Sequence, residues 1–315
     1  MHRRQMGRKM VSEKELLDRY ALVGGPEDMI PRLKRVAKAL VENSVVRNEF
    51  ERETQALFVQ TPGANIEKWT TVPVDELGED VGAFNMAVAL ESVPLVATTH
   101  AKFGMPKTHL AKTFSWFRPM IDIYRRRHGG VPGITHTRTF WFRNHADGLL
   151  WRFGTMEFLR GPVPKYIPEE FRRGLEADDE VPTFHFPGGP GGLDVPAMKA
   201  AFAEAVAFWR RSFGRYPKAF ACDSWLFNPV WKELIPDTRI ARSIDIFERL
   251  PSLAYNPEEP SGLFFVYDRE RCDPRDYPIT NSLERAYVTI YNRGEKPVDG
   301  CAWVKVDENG KVLFK

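Results

Sequence analysis

At Gly129, Gly130 and Gly133, with Pro132 among them, the hydrophobic period of this chain changes. Before the junction apolar residues recur at helical spacing, and after it they alternate as they do along strands. One uniform architecture cannot satisfy both patterns. The chain also has 315 residues, more than the ~250 to 300 at which single cores stop growing. The sequence therefore predicts an α+β chain in parts: a flexible basic tail at 1–11, a helical domain at 12–133 and a sheet-bearing domain at 134–315.

In the helical part, Ser12 and Glu15 stand at capping-box spacing ahead of Leu16, Leu17 and Tyr20. The stretch 29–58 carries Leu33, Val36, Ala37, Leu40, Val41, Val45, Val46 and Phe50 at helical spacing. A second stretch, 110–124, holds Leu110, Phe114, Phe117, Met120, Ile121 and Tyr124. It runs into Arg125, Arg126 and Arg127, whose charges suit a helix C-terminus.

Beyond the junction, 137–143 and 149–160 are rich in Phe, Trp and Thr and read as strands, with 145–148 as the hairpin turn between them. A strand at 182–186 leads through Pro187 and the glycine loop 188–192 into a helix that starts near Asp194. That helix is expected to bury Met198, Phe202, Ala205, Trp209 and Phe213. A strand at 219–225, a helix opened by Asn228 and Pro229, a strand at 262–267 and a helix at 281–292 follow. A hairpin turned at Asn309 and Gly310 closes the chain.

Charge narrows the function. There are 45 basic and 42 acidic residues, giving a net charge of +3 with the two signs interspersed, so no nucleic-acid footprint is expected. Arg3, Arg4, Arg8 and Lys9 read as a solvated, frayed terminus, and the charges from Glu13 to Arg19 break any secretory apolar region. No uninterrupted run reaches the ~18 uncharged apolar residues of a membrane span, so no membrane partner is expected. Cys222, Cys272 and Cys301 are odd in number and widely spaced, which predicts a reducing, cytoplasmic setting. With no Cys-x-x-Cys and no His-Glu-x-x-His, no metal site is expected.

The strand, glycine loop and helix at 182–213 carry the strongest chemical signal. Glycines let backbone N–H groups approach an anion, and a helix N-terminus adds unpaired donors and partial positive charge. The loop lacks the Gly-Lys-Ser/Thr ending of nucleotide loops and the Gly-x-Gly-x-x-Gly of dinucleotide folds. A coenzyme with a pyrophosphate linkage, such as coenzyme A, remains compatible. Against this, such a loop can be only a tight connection, and Asp194 at the N-cap would repel a phosphate.

Several segments resemble, in order, the GNAT-like C-terminal domain of bacterial acyltransferase-domain proteins, which follows a helical N-acyltransferase N-terminal domain. The matching pieces are Arg152-Phe153-Gly154 with Glu157-Phe158, His185-Phe186-Pro187 with Gly188-Gly189-Pro190, Phe220 to Leu226, and Thr280 with Ser282-Leu283 and Arg285-Ala286. Thr155 stands where the family carries a basic residue, and the loop 188–192 is longer than usual. The resemblance implies a GNAT-like mixed β-sheet with flanking helices, in which two neighbouring strands splay apart. The pantetheine arm of an acyl-CoA, acetyl-CoA or another short-chain one, would lie between those strands, with its pyrophosphate at the next helix N-terminus.

On this reading Phe186, Gly188, Gly189, Gly191, Gly192 and Lys199 are the candidate cofactor-binding residues. His185, just before the loop, is the candidate base for an attacking amine. Cys222 and Ser224 lie on one face of the following strand and Asp223 on the other, and all three are candidate catalytic residues. Cys222 reads either as a nucleophile activated by His185 or as small core filler. Asp223 reads first as a partner of backbone or of an arginine and only then as catalytic. Arg152, Trp225 and Arg285 are candidate substrate contacts, the arginines for a carboxylate or phosphate and Trp225 as pocket wall or core.

The expected activity is transfer of a short acyl group from coenzyme A to the amine of a small molecule or peptide. The expected acceptor pocket is bounded by both halves. A non-catalytic acyl-CoA-binding or sensing protein is the alternative. A serine or cysteine hydrolase is disfavoured because the chain has no Gly-x-Ser-x-Gly elbow.

Overall fold

The computed structural model describes residues 11–58, 74–136, 141–176, 179–188, 192–250, 261–268 and 272–315. The chain divides into two compact units, Met1–Asp147 and Gly148–Lys315, so the Gly129 to Gly133 junction lies inside the first. Its glycines serve a close backbone crossing there. A Cβ on Gly133 would sit 2.7 Å from the Cα of Gly82, and one on Gly82 would meet Gly133 at the same distance. The crossing is fastened by the Ile134 N–H donating to the Gly82 carbonyl at 3.2 Å and the Asn85 amide donating to the Ile134 carbonyl at 3.0 Å.

The first unit is helical: α1 Glu13–Ala21, α2 Met29–Glu42, α3 Ser44–Phe58, α4 Val74–Leu77, α5 Val81–Leu90, α6 Val93–Lys102, α7 Thr108–Phe114, α8 Phe117–Arg127 and α9 Trp141–Ala146. The capping box forms, with the Glu15 N–H donating to Ser12 Oγ at 3.2 Å and the Ser12 N–H donating to Glu15 Oε2 at 2.8 Å. The long apolar stretch 29–58 is two helices, because Asn43 ends α2 and accepts the Val45 N–H at 2.9 Å to start α3.

Helix α5 is buried on every side, which makes it the axis of this core. Together with α6 it forms the nearly continuous stretch Gly78–Lys102, long and apolar enough by length and composition to cross a membrane, and mostly buried within this unit. The expectation that no such stretch exists was too strict, since it counted only uncharged runs. The charge in its middle, Glu91, is paired with Arg19 of α1.

Residues 141–143 were expected in a strand, but they open α9; 137–140 lie outside the described residues. The strand preference of aromatic residues is weak beside packing. Phe142 stacks on Phe117 with ring centroids 4.3 Å apart and meets Phe114 at 4.9 Å, contacts that a helix on α6 and α8 can supply.

Three imidazoles gather in this core: His100 of α6, His109 of α7 and His145 of α9, all buried. The rings of His100 and His109 lie 5.3 Å apart. Burial, then repulsion from His109 and His145, pushes the pKa of His100 down to about 3. An unfolded histidine near 6.5 binds its proton first, so His100 supports folding fully above that pH and progressively less as pH falls toward its folded value. The slope reaches at most about 1.4 kcal/mol per pH unit. We expect the urea midpoint to fall between pH 7.5 and pH 5, and to fall less in His100→Gln; equal falls would show that His100 is not the group responsible.

The second unit carries strands β1 Leu150–Phe153, β2 Met156–Leu159, β3 Thr183–His185, β4 Ala219–Ser224, β5 Glu248–Leu250, β6 Gly300–Val306 and β7 Val312–Leu313. They form one mixed sheet in the order β1-β2-β3-β4-β6-β5, with β7 on β6. Only the β3–β4 pair is parallel among the described strands. Helix α10 is Glu169–Arg172, α11 is Val195–Phe213, α12 is Val230–Leu234, α13 is Arg239–Ser243, α14 is Ser261–Tyr267 and α15 is Ser282–Asn292.

The region 149–160 is a hairpin rather than one strand, turned at Gly154 with φ 50°, a left-handed conformation that favours glycine. The tight turn expected at 145–148 is instead the end of α9 and the link into β1. Residues 262–267 form the helix α14 where a strand was expected. A short apolar run does not distinguish the two, and Leu263, Val266 and Tyr267 at helical spacing pack with Trp231, Tyr287 and Ile290.

One face of the sheet packs on α11. Phe202 of that helix meets Phe158 at 5.0 Å, Phe184 at 5.1 Å and Phe220 at 5.1 Å, while Trp151 and Phe153 meet Phe208 at 4.6 and 5.2 Å. The other face holds Ala219, Ala221, Leu250, Cys301 and Trp303 under Ile167 and the segment carrying Val163, Tyr166 and Phe171.

Candidate active site

β3 and β4 share one rung. Thr183 pairs with Ala221, and the Ala221 N–H donates to the Pro182 carbonyl at 3.1 Å. Past that rung each strand stays anchored on its outer side only: His185 pairs with Glu157 of β2, while Cys222, Asp223 and Ser224 pair with Ala302, Cys301 and Gly300 of β6. Among the described residues the ladder between the two strands therefore ends while both remain held, which leaves a wedge-shaped gap in the pairing in the middle of the sheet. Backbone groups along such an opening can pair with an extended, amide-bearing ligand, because a strand edge keeps its donors and acceptors available.

In sequence, β3 leads from the wedge to the loop before α11. Gly188 has φ 77° and Gly192 is buried; Gly189 and Gly191 lie outside the described residues. Asp194 is the N-cap of α11, accepting the Ala197 N–H at 3.0 Å. Its carboxylate is thus engaged by the helix that it starts.

Register sorts the candidate residues onto two faces, since directly paired residues point the same way and successive ones alternate. Phe184, Cys222 and Ser224 belong to the α11 side. Arg152, Glu157, His185 and Asp223 belong to the other, in a row across β1, β2, β3 and β4. Cys222 is therefore not on the His185 face. It is 1% exposed, and burial, then Asp223, Cys301 and Asp299, push its thiol well up. A protonated thiol among core side chains is a poor nucleophile. Ser224 caps the turn after β4, accepting the Leu226 N–H at 3.2 Å.

His185 is half-buried, and the Thr183 hydroxyl lies 2.9 Å from its Nε2. Burial lowers its pKa, while Glu157 and then Asp223 act in the opposite direction. An imidazole held neutral is the form that accepts a proton. Arg152 is held down by burial and supported by Glu157, and its Nη1 is buried without a hydrogen-bond partner. On the far side, Tyr166 lies beside Asp223: burial raises its pKa most, with Asp223 next.

Other candidates lie apart from this row. Phe186 packs with Phe184 at 5.7 Å, Phe227 at 5.9 Å and Phe247 at 6.3 Å, at the α11 side of the wedge. Lys199 is exposed, with its ammonium 5.2 Å from the ring of Phe314. Trp225 packs with Trp231 and Phe265, and its carbonyl accepts the Trp231 indole N–H at 2.6 Å, so it is built into the aromatic core around α14. Arg285 is exposed on α15. Glu157 and Tyr166 were not among the expected site residues. Glu157 left one signal, a carboxylate at the inward phase of an otherwise apolar strand; Tyr166 lies in an irregular segment and left none.

The GNAT-like C-terminal domain family matches residues 150–304, and the N-acyltransferase N-terminal domain family matches residues 14–148. No curated protein sequence matches the chain. Among solved structures it is similar to an acyltransferase in complex with decanoyl-CoA and teicoplanin, with 21% identity and TM-score 0.73 over 94% of this chain and 89% of that one. It is also similar to an acyltransferase mutant in complex with octanoyl-CoA, with 21% identity and TM-score 0.74 over 95% and 90%. A third, an acyltransferase in complex with CoA and 10C-teicoplanin, gives 20% identity and TM-score 0.74 over 94% and 89%. These structures share the fold, and the two family matches meet where the two compact units divide. The chain belongs to the acyltransferase family in which an N-acyltransferase N-terminal domain is followed by a GNAT-like C-terminal domain.

Proposed function

We propose that the protein moves an acyl group from coenzyme A to an amine, with the pantetheine arm lying between β3 and β4. The observation that carries this reading is the single rung between those strands, which leaves backbone groups of 184–186 without a partner strand on the β4 side just before Gly188. Complexes of the similar acyltransferases with decanoyl-CoA, octanoyl-CoA and CoA support it. In this arrangement the pyrophosphate lies against the loop 188–192 and the start of α11, where N–H donors and the helix dipole favour negative charge.

The amine nitrogen attacks the thioester carbonyl directly. A C–N bond forms, the C–S bond breaks, and the amine proton passes to His185 or to a water that it orients, then to the leaving thiolate. Backbone N–H groups at the parting of β3 steady the oxyanion. Arg152, with a buried nitrogen lacking a partner, contacts an acidic group of the acceptor. The acceptor is a small-molecule or peptide amine, and complexes of similar acyltransferases with teicoplanin and 10C-teicoplanin support the small-molecule form. The same proposal sets the protein in the cytoplasm, where its cysteines stay reduced.

Two readings of the acyl chain are supported by different observations. Phe184, Phe186, Phe227 and Phe247 fill the α11 side of the wedge with centroids 4.9 to 6.3 Å apart, which favours a short acyl group. The octanoyl and decanoyl complexes of similar proteins favour a longer one. Thiol release from an acetyl-to-decanoyl series, with and without amines, tests both. Amine-dependent release is expected, and the chain giving the highest kcat/KM decides the length. Binding at ~100 times Kd should add about 2.7 kcal/mol of stability. Stabilisation without amine-dependent release would instead mark a binding or sensing protein, and neither effect would remove coenzyme A from the proposal.

A further inference from the structure

We propose that Glu157 is a positioning residue for His185, holding the imidazole from the neighbouring strand while Arg152 holds Glu157 from the strand beyond. This rests on the reading of His185 as the base. The three residues occupy one continuous cross-strand row, Arg152 opposite Glu157 and Glu157 opposite His185. Direct cross-strand pairs bring side chains on one face close enough to interact.

Glu157 is 1% exposed. A carboxylate is costly to bury without partners that offset its desolvation, and the side chains beside it in the row are a guanidinium and an imidazole. Its place in β2 is otherwise one that an apolar residue would fill, as Met156 and Phe158 do on the opposite face. A protein that needed only a stable hairpin there would gain nothing from the charge. A base next to the opening, in contrast, needs a fixed ring orientation and a proton affinity high enough to accept a proton.

Electrostatics agree with the geometry. Burial pulls the proton affinity of His185 down, and the carboxylates on either side, Glu157 on β2 and Asp223 on β4, pull it back up. Among the described residues, the other ionisable groups on this face are Arg152, beyond Glu157, Tyr166, beside Asp223, the buried Cys301 on β6, and, farther across the sheet, the exposed Lys305 and Glu248; Cys222 acts on Tyr166 from the opposite face of β4. Glu157 is the carboxylate paired in register with His185, because β3 and β4 have already parted at Asp223.

The test is Glu157→Gln, which keeps the shape and removes the charge. With the base less willing to take a proton, the acid limb of kcat/KM should move to lower pH and the plateau should fall. A loss of about 10- to 100-fold is expected, part of the 10² to 10⁴ that a placed base supplies, with the KM for acyl-CoA little changed. A role confined to holding the hairpin would lower the amount of folded protein and leave the limb where it is. If Glu157→Gln does not fold, Glu157→Asp serves: it keeps the charge and withdraws it by one methylene, so the limb should stay near that of the parent while the plateau falls. An unmoved limb in Glu157→Gln, or a parental plateau in Glu157→Asp, overturns the positioning role. His185→Ala run in parallel separates the two claims. If it is inactive while the Glu157 variants behave like the parent, only the positioning role fails; if it keeps parental turnover, the base assignment fails and takes the positioning role with it.

Discussion

His185→Ala is expected to lower turnover by about 10² to 10⁴-fold while leaving the affinity for acyl-CoA almost unchanged. The imidazole sits at the end of β3, beside the opening and just before the glycine loop, on the face it shares with Arg152, Glu157 and Asp223. Removing it takes away the proton acceptor proposed for the attacking amine. It leaves in place the backbone edge and the helix terminus that are proposed to bind the coenzyme. The loss should therefore appear in kcat, with positioning of the two reactants and backbone N–H stabilisation retained.

Cys222→Ser is the matching control. Cys222 lies on the opposite face of β4, 1% exposed, with its thiol pushed well up, so the nearly isosteric change should leave activity within about threefold and cost at most a few kcal/mol for the buried hydroxyl. Acyl-CoA already holds an activated thioester, so passing the acyl group to another thiol gains little. An acylated Cys222 trapped after mixing with acyl-CoA alone, or a dead Cys222→Ser with ping-pong kinetics, would reverse the assignment.

Phe202→Ala is expected to have the largest effect on stability, about 3 to 5 kcal/mol. Its ring is fully buried and meets Phe158, Phe184, Phe220, Phe247 and Phe314 with centroids 5.0 to 5.9 Å apart. It therefore touches β2, β3 and β4 together and links the two strands that part. Deleting it leaves a cavity under the one rung between β3 and β4, and the surrounding rings can refill it only by leaving their own contacts. A lowered urea midpoint with unchanged slope would report this loss, and Phe202→Leu should recover about half or more of it. A loss under about 1 kcal/mol would show that the aromatic cluster is not what fixes α11 on the sheet.

Much of this was legible in the sequence because the signals are local. Ser12 and Glu15 form their capping box, Asp194 caps α11 where the helical pattern begins, and the terminal hairpin turns at Gly310. The glycine junction showed a change of period, but the compact units divide between Asp147 and Gly148. Gly82 and Gly133 explain why: those glycines permit a close approach within a unit, which resembles a linker in one dimension. Residues 141–143 and 262–267 carry strand-like sequence yet fold as helices, because aromatic and apolar runs of this length suit either conformation until a packing surface selects one.

The candidate site shows the same division. The sequence placed His185 before the loop, and strand alternation set Cys222 and Asp223 on opposite faces. It could not say which of the two faces packs on α11 and which one His185 shares, since that follows from the strand registers. Nor could it join Arg152, Glu157 and His185, which become neighbours only through the registers of β1, β2 and β3. Caps, turns and periodicity depend on residues a few positions apart, so the sequence alone determined them. The row of charges and the parting of β3 from β4 depend on how distant strands align, and only the tertiary structure, by fixing register, decided them.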